Sequence, residues 1–315
     1  MSKIKLGILS TCFICLFPIQ SYTKEVEKIT VTTPKETVTQ VSPSHVFQKS
    51  ELILEEIEIL RTALAIDDEP YAPEFSAGKD PIHVYSKGLE VLEKVARAQR
   101  KMGITPIAKV GEIPLKEIKA KDVLGLTENI LNELHRIKKN LVLKDQAKKV
   151  EFVGGKLPSD VYQNLWLASY MLDALTKPLK PTDVYRNFQY IQDELQLIGA
   201  KLKVSLSLEA PAVEGRKTPK NVAQQALLGL YKIVNLQTQL KMDSSGVPEI
   251  TLVRIRPSDV YDITNMILAE LVRIKVHLKI DLPRGQRKLG SKKTPSDAFS
   301  QALLVNDNVT TLLKR

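Results

Sequence analysis

Apolar side chains recur along most of this chain in alternating steps of four and three. One run is Val123, Thr127, Ile130, Leu134, Ile137 and Leu141. Val184, Phe188, Ile191, Leu195, Ile198 and Leu202 repeat it on the same offsets, and so do Val260, Thr264, Ile267, Leu271, Ile274 and Leu278. A 4-3 alternation places these residues on one stripe of an α-helix and is the spacing of a bundle seam. Near each helix start a second stripe widens the apolar face, as at Tyr85, Leu89 and Leu92 or Ala223, Leu227 and Leu230, which suits a helix with two neighbours. Each run predicts one helix of about 18 to 22 residues.

The helices share an opening. Pro158-Ser-Asp-Val-Tyr162, Pro181-Thr-Asp-Val-Tyr185 and Pro257-Ser-Asp-Val-Tyr261 are its clearest copies. Variants begin at Pro43, Pro81, Ala120, Pro219 and Pro295. The starting positions 43, 81, 120, 158, 181, 219, 257 and 295 are 38 or 39 apart except for one step of 23. Such a period is the signature of a repeat architecture. Residues Asp122 to Lys138 recur as Asp259 to Lys275, offset by 137, so the chain reads as a duplicated unit. The expected fold is all-α, two tandem four-helix units made of eight segments, each a helix and a long loop. The units are expected over residues 43–176 and 181–315, with Thr176 to Lys180 between them. The connectors carry Pro and Gly and are too broken for a second full helix, which argues against helix-pair solenoids. Val150 to Val153 and Ile250 to Ile255 are candidates for extended segments along the bundle. A connector of about 14 residues can return to the starting end or turn back locally, so helix direction is left open, antiparallel order being the commoner choice.

Helix-start physics explains the opening. Proline suits the first turn, and Ser, Thr or Asp favours the exposed amides and the positive end of the dipole. Asp122, Asp160, Asp183, Asp259 and Asp297 are therefore expected to be structural. Thr294 is read as an N-cap with Asp297 third in the helix, whereas in Lys180-Pro-Thr-Asp183 the Thr itself is read as the cap. Tyr162, Tyr185 and Tyr261, which follow Val, are expected to close one end of the core, and Trp166 to pack inside it.

Ahead of the helices, Lys3 and Lys5 precede an apolar run from Leu6 to Phe17 that turns polar after Pro18. This reads as a cleavable secretory signal over residues 1–23, too short to span a bilayer, followed by an extended leader over 24–42. Both cysteines, Cys12 and Cys15, fall inside the signal, so disulfide and thiolate chemistry are not expected of the mature chain. Its destination would be periplasmic or secreted.

The formal net charge is +10, placed unevenly: residues 43–180 carry 21 basic against 20 acidic side chains, and 181–315 carry 20 against 13. The C-terminal unit is thus the basic one. Arg284, Arg287, Lys288, Lys292 and Lys293 lead into the last helix and are candidate anion contacts, for a surface polysaccharide, lipid headgroup or acidic protein rather than nucleic acid. The four histidines, His45, His83, His135 and His277, lack metal-ligand spacing; the first two stand where other copies have Asp or Asn. No nucleophile elbow, phosphate loop or Cys nucleophile is present, and Glu55, Glu56 and Glu58 read as a polar face. Neither cofactor nor metal is expected. The sequence points to an exported, non-enzymatic helical repeat protein that binds a small ligand or an envelope partner. The alternative is a structural or adhesive envelope protein holding an anionic surface through its basic unit.

Overall fold

The computed structural model describes residues 40–70, 75–243, 246–247, 255–285, 287 and 290–315. The expected signal, nearly all of the leader, Lys288 and the stretch 250–254 lie outside the described residues. Eight helices follow in order: α1 Pro43–Ala63, α2 Pro81–Lys101, α3 Ala120–Asn140, α4 Pro158–Asp173, α5 Pro181–Leu202, α6 Pro219–Gln239, α7 Pro257–His277 and α8 Pro295–Leu313. There is no strand among the described residues, and the all-α repeat architecture stands. Helix α4 is shorter than the spacing predicts, at 16 residues.

Each start is built the same way. The third helical residue accepts a hydrogen bond from the backbone N–H of the N-cap, which is half of a capping box. Asp160 accepts from Leu157 at 2.7 Å, Asp259 from Arg256 at 2.7 Å and Asn221 from Thr218 at 3.0 Å, and His83 Nδ1 accepts from Asp80 at 2.9 Å. Because an amide can only donate, that ring nitrogen is unprotonated and the His83 proton sits on Nε2. The fifth start corrects the expectation for Thr182. Lys180 is the N-cap there and Asp183 accepts from it at 2.8 Å, while Thr182 Oγ1 accepts from the Lys293 amide at 3.0 Å.

That last bond belongs to a set of four. The Lys two residues before a start donates its backbone N–H to the hydroxyl at the second position of a neighbouring start. The pairs are Lys79 with Ser159, Lys156 with Ser44, Lys217 with Ser296 and Lys293 with Thr182. The same four ammonium groups lie 4.2 to 5.2 Å from the ring centroids of Tyr162, Phe47, Phe299 and Tyr185. The aromatic of the opening therefore joins the core on one side and carries a lysine on the other, a cation–π arrangement.

These bonds bring helix starts together, so helices within a unit run parallel. In the C-terminal bundle the first turns at Pro181, Pro219, Pro257 and Pro295 meet round one small gap. In the N-terminal bundle, α1 and α3 pair at matching depths through Lys49–Glu128 and Glu56–His135. A 21-residue helix is about 31 Å long, and a connector of some 17 residues reaches that far with slack. The packing pairs are α1·α3, α1·α4, α2·α3 and α2·α4, then α5·α7, α5·α8, α6·α7 and α6·α8, so the sequential pairs α1/α2, α3/α4, α5/α6 and α7/α8 face each other diagonally. Only seven residues, 174–180, separate α4 from α5. They form a tight turn, α4 and α5 do not pack on each other, and the second bundle runs in reverse to the first.

Six of the eight helix ends are also alike. The amides of Ile66, Ile104, Leu143, Val204, Met242 and Ile280 each donate to the carbonyl five residues back, the longer bond of the Schellman motif, with an apolar residue at the donor position. The residue before each donor has positive φ. It is Gly only at Gly103, the others being Ala65, Val142, Lys203, Lys241 and Lys279. The left-handed conformation costs such residues roughly 1–2 kcal/mol, so the long returns are held by tertiary packing against local preference.

Candidate functional site

The two bundles meet where α2 crosses α7 in opposite directions. At one end His83 Nε2 donates to Glu270 and Arg273 pairs with Asp80. At the other, the Tyr261 hydroxyl donates to Glu93 at 2.7 Å. Between them lies a buried ionic cluster. Lys87 donates to Glu90 at 2.9 Å and to Asp262; the Trp166 indole N–H donates to Asp262 at 2.7 Å; Asn265 donates to Glu90 at 3.0 Å, and the Ser169 hydroxyl also bonds Glu90. Trp166 is thus half-buried: it packs against the N-terminal core while its indole N–H serves the joint between bundles. Glu56 is likewise not on a polar face: it is buried, accepting from Lys138 and from His135.

Burial and then the negative charge of Glu90 push the Asp262 carboxyl up to about 8, while Lys87 and Lys94 hold Glu90 below the usual carboxylate range in spite of its burial. The proton shared by this pair sits on Asp262. From about pH 4 to about pH 8 the folded chain keeps that proton and the unfolded chain has lost it, so stability falls as pH rises through the window, by up to about 1.4 kcal/mol per unit. Urea unfolding at a series of pH values is expected to show this slope, and Asp262→Asn to flatten it; an equal slope in both proteins would contradict the assignment.

Beside the joint opens a cleft of about 880 Å³, walled by α2 and the 110–115 loop of the first bundle and by α5, α7, Asp281, Pro283, Arg284 and Arg287 of the second. Its charged groups face each other. Glu93 accepts from Arg97 and from Arg186, and Arg97 also donates to Asp183 at 2.9 Å. Lys275, fully buried, lies 2.6 Å from Glu194 and donates to the Leu282 carbonyl at 2.7 Å. Burial raises the Glu194 carboxyl above its ordinary value although Lys275 opposes the shift. Arg284 stacks 4.1 Å from the Tyr190 ring centroid and reaches Glu112 of the other bundle at 3.5 Å. Arg186 Nε is buried with no hydrogen-bond acceptor among the described residues. A smaller pocket of about 430 Å³ adjoins at the start of α5, where Arg186, Arg287 and Lys293 line it with Thr182 and Ser291, with no carboxylate among the described lining residues.

Of the five candidate anion contacts, Arg284 and Arg287 line the cleft and Arg287 and Lys293 the smaller pocket; Lys292 is exposed, and Lys288 lies outside the described residues. Arg287 is engaged by Asp193 at 2.8 Å through Nε. Among the motif residues, Asp122, Asp160 and Asp297 cap their helices, Tyr162 and Tyr185 lie beneath lysines, and Asp183, Asp259 and Tyr261 reach beyond their own starts to Arg97, Tyr170 and Glu93. Arg186, Glu93, Glu194 and Lys275 escape sequence reasoning. One signal was available: His83, Lys87, Glu90, Lys94 and Arg97 repeat the 4-3 steps of the seam, so this polar stripe is itself a packing face.

No group of His, Cys, Asp or Glu among the described residues has the arrangement of a metal site, and no described helix is long and apolar enough to cross a membrane. Comparison with protein-family models, with curated proteins and with solved structures finds no match to this chain.

Proposed function

We propose that this chain is an exported binding module, periplasmic or secreted, whose site is the cleft between the two bundles, and that it acts by holding a ligand rather than by catalysis. The ligand is a small molecule bearing a carboxylate or phosphate. The observation that carries this reading is Arg186 Nε, buried without an acceptor where the cleft and the cationic pocket meet. A buried donor without a partner is costly, and an anionic oxygen supplies the missing acceptor. Arg284 and Arg287 stand on the same wall to complete a guanidinium cluster.

The test is a thermal-shift series with di- and tricarboxylates, inorganic phosphate and phosphate monoesters. A ligand present at a hundred times its Kd stabilises by about 2.7 kcal/mol, a rise in Tm of roughly 5–10 °C for a chain of this size. The rise should vanish in Arg284→Ala. If no compound shifts Tm, the reading fails. The cationic pocket supports a second reading, adhesion to an anionic surface polymer. It is separated in the same series by salt-sensitive retention on an anionic polysaccharide, lost when Arg284, Arg287, Lys288, Lys292 and Lys293 are neutralised together.

A further inference from the structure

The repeat gives each outer face of one bundle a counterpart on the other. Helices α2 and α4 of the first bundle correspond to α6 and α8 of the second, as Pro81 corresponds to Pro219 and Pro158 to Pro295. The α2/α4 face is covered: α7 lies against it, with Trp166 and Tyr170 of α4 reaching Asp262 and Asp259. No described helix lies on the α6/α8 counterpart; the connector before α6 runs beside α8, bonding Asn308, Ser300 and Ser296, and leaves Leu228 and Tyr231 of α6 open. Glu90 and Glu93 of the covered face become Leu228 and Tyr231, which are 43% and 55% exposed. Solvent exposure would favour the opposite distribution, charge on the open copy and apolar groups on the covered one.

We infer that the outer face of α6 and α8 is an interface between two copies of this chain. Charge decides the occupant. Helix α6 holds no Asp or Glu from Pro219 to Gln239, and its cations are Lys220 and Lys232 alone. Lys232 is tied down on α8, donating to the Asn306 carbonyl at 3.2 Å and the Thr310 hydroxyl at 2.8 Å. On α8, Asp307 is exposed at the position equivalent to Tyr170, so the face carries little charge, and of mixed sign, to steer an acidic or basic partner. Two copies of a +10 chain repel each other overall, so they associate best through a surface that brings little charge to the contact. Tyrosine and leucine between glutamines also match the composition of interface centres, where charged residues are depleted and tyrosine is enriched. Leu228 and Tyr231 flank the midpoint of α6, so two α6 helices crossing near their middles form an isologous contact that closes at two chains. Two neighbouring helices about 30 Å long and about 10 Å wide present an area of the order of the ~800 Å² per partner that a specific interface uses.

Sedimentation equilibrium of the full chain tests this. The wild type is expected to be dimeric in the micromolar range, and the double substitution Leu228→Glu, Tyr231→Glu, which writes in the residues of the first bundle, to raise the dissociation constant at least about tenfold. Val142→Glu, at a residue 78% exposed in the first bundle, should leave the dimer intact, and far-UV circular dichroism should be the same for all three proteins. A photoreactive phenylalanine analogue at position 231 is expected to cross-link to α6 or α8 of the second copy. A monomer at about 100 µM, a dimer indifferent to the double substitution, or a cross-link to any other segment overturns the inference.

Discussion

Lys87→Met is expected to lower the free energy of unfolding by about 3–5 kcal/mol, because it leaves the buried Glu90 carboxylate and its partner Asp262 without the cation they share. Lys87 is 2% exposed and its ammonium serves both Glu90 of its own helix and Asp262 of α7. Methionine keeps the length and apolar body of the side chain, so lost packing contributes little and the effect isolates the charge. An exposed ion pair of the same composition would contribute about 0–1 kcal/mol, a range that urea unfolding resolves easily from the expected loss. A loss below about 1 kcal/mol would show the cluster to be hydrated and would sink the argument. Adding Asp262→Asn to Lys87→Met removes the stranded acid while keeping an acceptor for the Trp166 indole. The double variant should be more stable than the sum of the two single losses implies, by about 1 kcal/mol or more.

Phe188→Ala is expected to cost about 3–5 kcal/mol, here through a cavity. Phe188 has no exposed surface and packs in the core with Val184, Ile191, Val222 and Val260 among its cluster. It is also the largest fully buried side chain. The 4-3 seam alone predicts this position to be interior, so the experiment tests the sequence pattern as well as the packing. Differential scanning calorimetry should find Tm lower by roughly 6–20 °C at 2–4 °C for each kcal/mol. A change within about 2 °C would mean that the seam tolerates collapse around this residue.

The seam residues legible in the sequence are those that the fold buries. Val184, Phe188, Ile191, Leu195 and Ile198 are all in the C-terminal core, and Val123, Ile130, Leu134 and Ile137 in the N-terminal one. The third position of the opening was legible for the same reason: a cap is a bond between residues three apart, and its donor and acceptor are both written locally. The second position was not. Whether Thr182 accepts from Lys180 or from Lys293 depends on which start lies beside it, and Lys293 is more than a hundred residues away. The candidate site was legible only at its edge. Arg284 and Arg287 drew attention as part of a basic run, whereas Arg186 and Glu93 look like ordinary polar-face residues until the second bundle is laid against the first.

By itself, then, the sequence determines the eight helices, their seams, their starts and the one short step, because each of these rests on periodicity and on bonds between near neighbours. Tertiary structure decides the rest. The connectors are long enough for either return, so only the packed starts make the helices parallel. The short 174–180 turn joins α4 to α5, and the second bundle packs with α7 antiparallel across α2. That crossing turns a charged stripe of α2 into a buried ionic joint and opens the cleft beside it, since desolvation and pairing of charges are set by what covers them and not by the chain that carries them.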